Sequence, residues 1–89
     1  MRQNPESRIP PVSLILYTRH GCHLCEDFEQ ELRHLQQEYP FDIDIRNVDA
    51  NPEWRAAYND LVPLLLDGSE EICRYFLDRE RLRRYLGSA

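Results

Sequence analysis

Ser13-Leu14-Ile15-Leu16-Tyr17 is a short and almost unbroken apolar run. Such a run predicts a strand covered on both faces of a parallel sheet. Thr18-Arg19-His20-Gly21 interrupts it. From there the apolar positions are Leu24, Phe28, Leu32, Leu35 and Tyr39, one stripe along a helix that Pro40 closes. Phe41-Asp42-Ile43-Asp44-Ile45-Arg46 alternates strictly, as a strand with one wet face does, and this places it at a sheet edge. Asn51 before Pro52 predicts a second helix, capped by the Asn side chain, with Pro at its first position and Trp54, Ala57 and Tyr58 along it. Leu61-Val62-Pro63-Leu64-Leu65-Leu66 is a second buried strand. Asp67-Gly68 turns it into a returning strand over Glu70-Glu71-Ile72-Cys73-Arg74-Tyr75. Asp78 predicts the cap of a last helix, with Leu77 and Leu82 as a hydrophobic staple, Tyr85 and Leu86 facing the core and Gly87 at the stop.

The order is therefore β-α-β-α-β-β-α. A helix between the first two strands implies a parallel pair with a right-handed crossover, and the last two strands form a hairpin. The expectation is an α/β domain over residues 13–87. It has a four-stranded mixed sheet with the two apolar strands central and helices on both faces. Residues 1–12 hold Pro5, Pro10 and Pro11 without periodicity and are expected to be a flexible lead-in.

Length and charge narrow the function. A chain of 89 residues supports one small core. No window approaches the roughly 20 apolar residues of a membrane span. The N-terminus has no apolar leader, so the chain is expected to be cytoplasmic. The net charge of −5 excludes nucleic acid as the default partner, because phosphate neutralisation needs a basic surface. The charge is uneven. Residues 74–89 carry +3, the rest carries −8, and every cation is arginine. The run Arg79, Arg81, Arg83, Arg84 is read as the wet face of the last helix, and the chain is expected to be a monomer.

The chemistry lies in three cysteines: Cys22 and Cys25, spaced C-x-x-C, and Cys73. Cys22 falls between the first strand and the first helix. There the first-turn amides and the helix dipole, about half a positive charge, favour thiolate over thiol. Cys25 shares a helical face with Phe28 and Leu32, so it should point inward and be less ionised. An i,i+3 pair across a first turn can meet the reach of about 7 Å that a disulfide requires. The pair suits mixed-disulfide chemistry, with Cys22 attacking and Cys25 resolving. Two alternatives stay open at this point. The pair could be inert core thiols. Or His20, Cys22, His23 and Cys25 could bind zinc, or Cys22 an iron–sulfur cluster shared between chains, although a structural zinc usually draws on two separated segments. His23 is either a partner of the Cys22 thiolate or an exposed spacer. His20 and His34 are read as surface residues, and Trp54 and Tyr58 as packing residues. Cys73 is read as a small buried side chain or a site of oxidation.

Tyr17-Thr18-Arg19-His20-Gly21-Cys22-His23-Leu24-Cys25 resembles the glutaredoxin active-site segment, in which a Tyr-Ser/Thr-Lys lead precedes C-P-Y-C. Arg19 stands where the family has lysine. Leu61-Val62-Pro63 resembles the family's T-V-P segment. The dipeptide His-Leu is similar to that of short bacterial glutaredoxin-like proteins with a C-H-L-C site. The resemblance covers residues 13–86 and implies a thioredoxin-like fold with a cis bond before Pro63. It also implies thiol–disulfide oxidoreductase activity on a disulfide-containing protein or small thiol, with glutathione as a candidate reductant and no bound cofactor or metal. On this reading Cys22 and Cys25 are catalytic. Val62 and Pro63 form the substrate wall, because a residue without N–H leaves the preceding backbone groups free for a peptide. Arg19 and His23 give electrostatic support. The Gly-Gly that classical glutaredoxins set against glutathione is absent. Cys73-Arg74 takes its place, and Arg74 is the candidate partner for a carboxylate. The alternative function is a catalytically weak module of the same fold that binds a metal, a cluster or a protein partner.

Overall fold

The computed structural model describes residues 12–87. The expected lead-in therefore lies outside the described residues except for Val12, which opens the first strand. The elements are β1 (Val12–Thr18), α1 (His23–Leu35), β2 (Phe41–Asn47), a single 3-10 turn (Val48–Ala50), α2 (Pro52–Tyr58), β3 (Leu64–Asp67), β4 (Glu70–Arg74) and α3 (Arg79–Gly87). The sheet order is β2-β1-β3-β4. β1 and β2 run parallel, from Val12 opposite Phe41 to Thr18 opposite Asn47, and the other pairs are antiparallel. As expected, the two apolar strands are central and the alternating strand is an edge. On β4 the partners of Leu65 and Leu66 are Cys73 and Glu71, so Ile72 is an extra residue in a bulge.

Period-two alternation divides the central strands between two cores. Leu14 and Leu16 of β1 and Leu65 of β3 point to one face. There they bury with Phe28, Leu32 and Leu35 of α1, Phe41, Ile72, and Leu82 of α3. Tyr17, Leu64 and Leu66 point to the other face, where Val48 is buried and Trp54 and Tyr58 of α2 pack against them. Each leucine fully buried in this way contributes about 1.5–3 kcal/mol of transfer free energy.

The caps follow the sequence. Asn51 Oδ1 accepts from the Glu53 and Trp54 amides at 2.8 and 3.2 Å, and Pro52 opens α2. Asp78 Oδ1 accepts from the Arg81 amide at 3.0 Å at the start of α3. Leu77 packs against the core in which Leu82 is buried, as the staple requires.

Three sequence expectations need correction. The stripe of α1 begins at Cys25, not Leu24: Leu24 is 40% exposed, while Cys25, Phe28, Leu32 and Leu35 are buried. The helix stops at Leu35 rather than reaching Tyr39. The Tyr39 amide still donates to the Leu35 carbonyl at 3.0 Å in the turns that follow, and Gln36 Nε2 donates to the Phe41 carbonyl at 2.8 Å. The third strand begins at Leu64, because Leu61 closes a turn onto the Tyr58 carbonyl and the Val62–Pro63 bond is cis.

Candidate active site

β1 delivers the chain to Thr18, and Gly21, at φ +73°, makes the left-handed turn into α1 that other residues resist. This leaves Cys22 as the N-cap of α1 in extended conformation (φ −105°, ψ 111°). Its Sγ accepts the Cys25 N–H at 3.1 Å, in the role that Ser or Asp oxygen normally fills. Its carbonyl accepts the Glu26 N–H at 3.0 Å. Cys22 is half-buried, whereas Cys25 is only 1% exposed, and both are free thiols. Burial is the main influence on Cys25 and pushes its thiol up, as does the contact with Cys22. Hydrogen bonds from the Thr18 side chain and the Arg19 backbone pull it down. The two sulfurs therefore sit in opposite settings. One is at a helix mouth with an amide aimed at it, and the other is sealed at the head of an apolar stripe.

The bond before Pro63 has the form that the resemblance implied. Val62–Pro63 is cis and Pro63 is buried. The Pro63 carbonyl accepts the Tyr75 N–H at 2.7 Å. Among the described residues no group bonds the Val62 N–H or carbonyl.

The remaining candidates are placed differently from one another. Arg19 is held by polar partners while its charge remains within electrostatic range of the Cys25 sulfur. Its Nε and Nη2 grip the Asp49 carboxylate at 2.9 and 3.1 Å, and its Nη2 and Nη1 reach the Asn59 side chain and carbonyl. The Arg19 guanidinium holds Asp49 below the usual carboxylate range, and Arg55 adds to this. Sequence reasoning missed Asp49 and Asn59, which lie 30 and 40 positions from Arg19. His23 has a side chain 98% exposed, 3.8 Å from Glu26, and points to solvent. Arg74 lies 3.4 Å from the Glu71 carboxylate and stacks its guanidinium over the Tyr75 ring at 5.6 Å. Cys73 is half-buried on β4, and burial pushes its thiol up. Among the described residues no three His, Cys, Asp or Glu side chains gather as a metal-holding group, and no helix is long and apolar enough to cross a membrane.

Comparison with known proteins agrees with this geometry. Residues 13–87 match the family described as Glutaredoxin-like domain (DUF836). An uncharacterised protein of Mycobacterium tuberculosis is 33% identical over 79 residues, which is 83% of this chain and 79% of that one. The solution NMR structure of a protein from Nitrosomonas europaea superposes with a TM-score of 0.76 at 38% identity, covering 91% of this chain and 98% of that one. Thioredoxin 1 of Thermosipho africanus superposes with a TM-score of 0.62 over 85% of this chain and 96% of that one. At 24% identity this likeness concerns the fold alone. The fold is thioredoxin-like, as the sequence implied.

Proposed function

The chain belongs to the Glutaredoxin-like domain (DUF836) family, and from that premise we propose that it is a thiol–disulfide oxidoreductase worked by Cys22 and Cys25. The observation that carries this reading is the Cys25 N–H directed at the Cys22 sulfur at 3.1 Å, with the Cys25 thiol buried behind it. A sulfur at a helix N-terminus that accepts an amide is better solvated as an anion than as a thiol. Cys22 is therefore the nucleophile.

The thiolate attacks one sulfur of a substrate disulfide. A Cys22–substrate bond forms, the substrate S–S bond breaks, and the departing thiolate takes a proton from water. Cys25 then loses its proton to water. The Thr18 and Arg19 hydrogen bonds that pull its thiol down stabilise the anion at that moment. It attacks Cys22 Sγ, the second substrate thiol leaves, and a Cys22–Cys25 disulfide remains. Two electrons have passed from the dithiol to the substrate. The unbonded Val62 backbone groups, exposed by Pro63, pair with the extended chain around the substrate cysteine, as an added strand does. Arg19 supports the site indirectly, since Asp49 and Asn59 hold its side chain and so fix the loop whose amide meets Cys25. No bound cofactor is needed. Glutathione or a thioredoxin-type reductase returns the pair to the dithiol, and the protein acts in the cytoplasm as a monomer.

Thiol trapping tests this. Cys22 should alkylate at neutral pH at least about tenfold faster than Cys73, whose thiol is pushed up by burial. Cys22→Ser should abolish mixed-disulfide formation, and Cys25→Ser should let the mixed disulfide accumulate. Reaction of Cys22 at the rate of a denatured thiol overturns the proposal.

A further inference from the structure

Phe76 is 72% exposed and Tyr75 39%, so with Leu24 they are the three large apolar side chains that the described residues leave open. They are close neighbours. Leu24, Asp27 and Glu31 of α1 and Tyr75 and Phe76 of the β4–α3 connection line one groove of about 290 Å³. The turn that presents Phe76 is a constrained one. Tyr75 has φ +69°, a left-handed value rare for an aromatic residue, and the Phe76 N–H closes on the Arg74 carbonyl at 2.7 Å. It is pinned at both ends of Tyr75, by its N–H on the Pro63 carbonyl and its hydroxyl on the Asp60 carbonyl at 2.8 Å. An exposed ring carried on a backbone fixed in this way is arranged for contact rather than left over from packing.

Two facts fix what fits there. The groove begins at Leu24, which stands between the two cysteines in sequence, so one end of it lies on the first turn of α1, the turn that Cys22 caps. Its rim is acidic. Glu31 is paired with Arg79 at 3.1 Å, while Asp27 has no cationic partner among the described residues. Arg74, the cation expected to receive a carboxylate, is instead paired with Glu71.

We propose that this groove binds a polypeptide disulfide substrate that places an apolar side chain beside its cysteine and a cationic residue against Asp27. It thereby selects such a protein over glutathione. This inference rests on the redox reading above and names its substrate class. Glutathione is a net anionic tripeptide without an apolar side chain, so it finds no partner for Phe76 and is repelled by the rim and by the net charge of −5. The electron flow is unchanged: the Cys22–Cys25 dithiol is oxidised, the polypeptide disulfide is reduced, and a small dithiol in the assay restores the pair.

The experiment compares kcat/KM for three substrates. One is a short peptide disulfide with leucine beside cysteine and arginine two residues on. The second is its twin with aspartate for arginine, and the third is oxidised glutathione. The first should exceed each of the others by about tenfold, as one well-placed charge contact and one buried ring allow. Asp27→Arg should invert the preference between the twins. Phe76→Ser should cut the preference for the first peptide over glutathione by about tenfold, with circular dichroism confirming the fold of both variants. Equal rates on the twins, or glutathione as the best substrate, overturn the inference and leave the redox reading standing. Absence of turnover on all three overturns both.

Discussion

The two faces of the sheet are built by different means. On the α1 and α3 face the side chains are mostly aliphatic and closed to water: Leu14, Leu16, Leu32, Leu65 and Leu82 are each 0% exposed. On the α2 face the contacts are aromatic and half open. α2 has no fully buried residue. It is held by Tyr58 stacked on Tyr17 at 4.2 Å between ring centres, by Trp54 edge-on to Tyr17 at 5.7 Å, and by the Arg46 guanidinium 5.2 Å from the Trp54 ring. The buried sulfur belongs to the closed face, since Cys25 heads the stripe that seals it. A thiol kept dry by close packing is held toward its protonated form, as burial does for Cys25. A face of rings and ion pairs gives no such seal, but it can anchor a loop, and Arg19 is anchored there.

This contrast is most sharply tested by removing one ring from each face. Phe28→Ala should cost about 3–5 kcal/mol in urea unfolding, the loss of a ring from a closed core. Trp54→Ala should cost about 1–2 kcal/mol, a half-open ring with its edge-on partner. Equal losses would erase the distinction. A smaller effect concerns the polar pin on the closed face, where the Tyr85 hydroxyl donates to the Asp67 carboxylate. That bond, with some burial, pushes Tyr85 up to about 12 from an ordinary 10.0. The folded state thus holds the proton more tightly than the unfolded chain. The pin stabilises fully below about pH 10 and is lost as pH rises through about 12. Unfolding curves across that window should fall with pH, and Tyr85→Phe should flatten the fall. The smallest effect is expected from the matching pin on the open face. Asp49 titrates below its usual range because Arg19 holds it. Its contribution is therefore present above about pH 4 and fades as pH drops. Asp49→Asn should lower the thermal midpoint slightly at pH 7, less in high salt, and not at all once the wild-type carboxylate is protonated.

Local rules made most of this molecule readable. Two apolar runs and one alternating run were enough to order the sheet, and Asn51-Pro52 and Asp78 announced their helices. The Cys22 cap position followed from where a strand broke and a stripe began. Errors came where a side chain's fate depended on something distant. Leu24 looked like the first residue of the stripe because spacing alone does not distinguish the core from a groove mouth. The Asp49 and Asn59 partners of Arg19 went unseen because they are far off in sequence. The arginines of α3 lie on an exposed face, as read; what the sequence did not show is that Arg79 and Arg83 also reach Glu31 and Glu38 at 3.1 and 3.5 Å, bracing α3 against α1 and the turn after it. The 3-10 turn after β2 has a local cause that was overlooked, the Asn47 side chain accepting the Asp49 amide at 3.0 Å.

The outermost strands carry their own consequence. A row of unpaired amides and carbonyls can recruit another chain and seed fibrils. Along β2 the exposed Asp42 and Asp44 set like charges where an incoming strand would lie. Along β4 exposed Glu70 and Glu71 do the same, and the bulge at Ile72 spoils the regular spacing that a template needs. Both margins are thus poor scaffolds for aggregation.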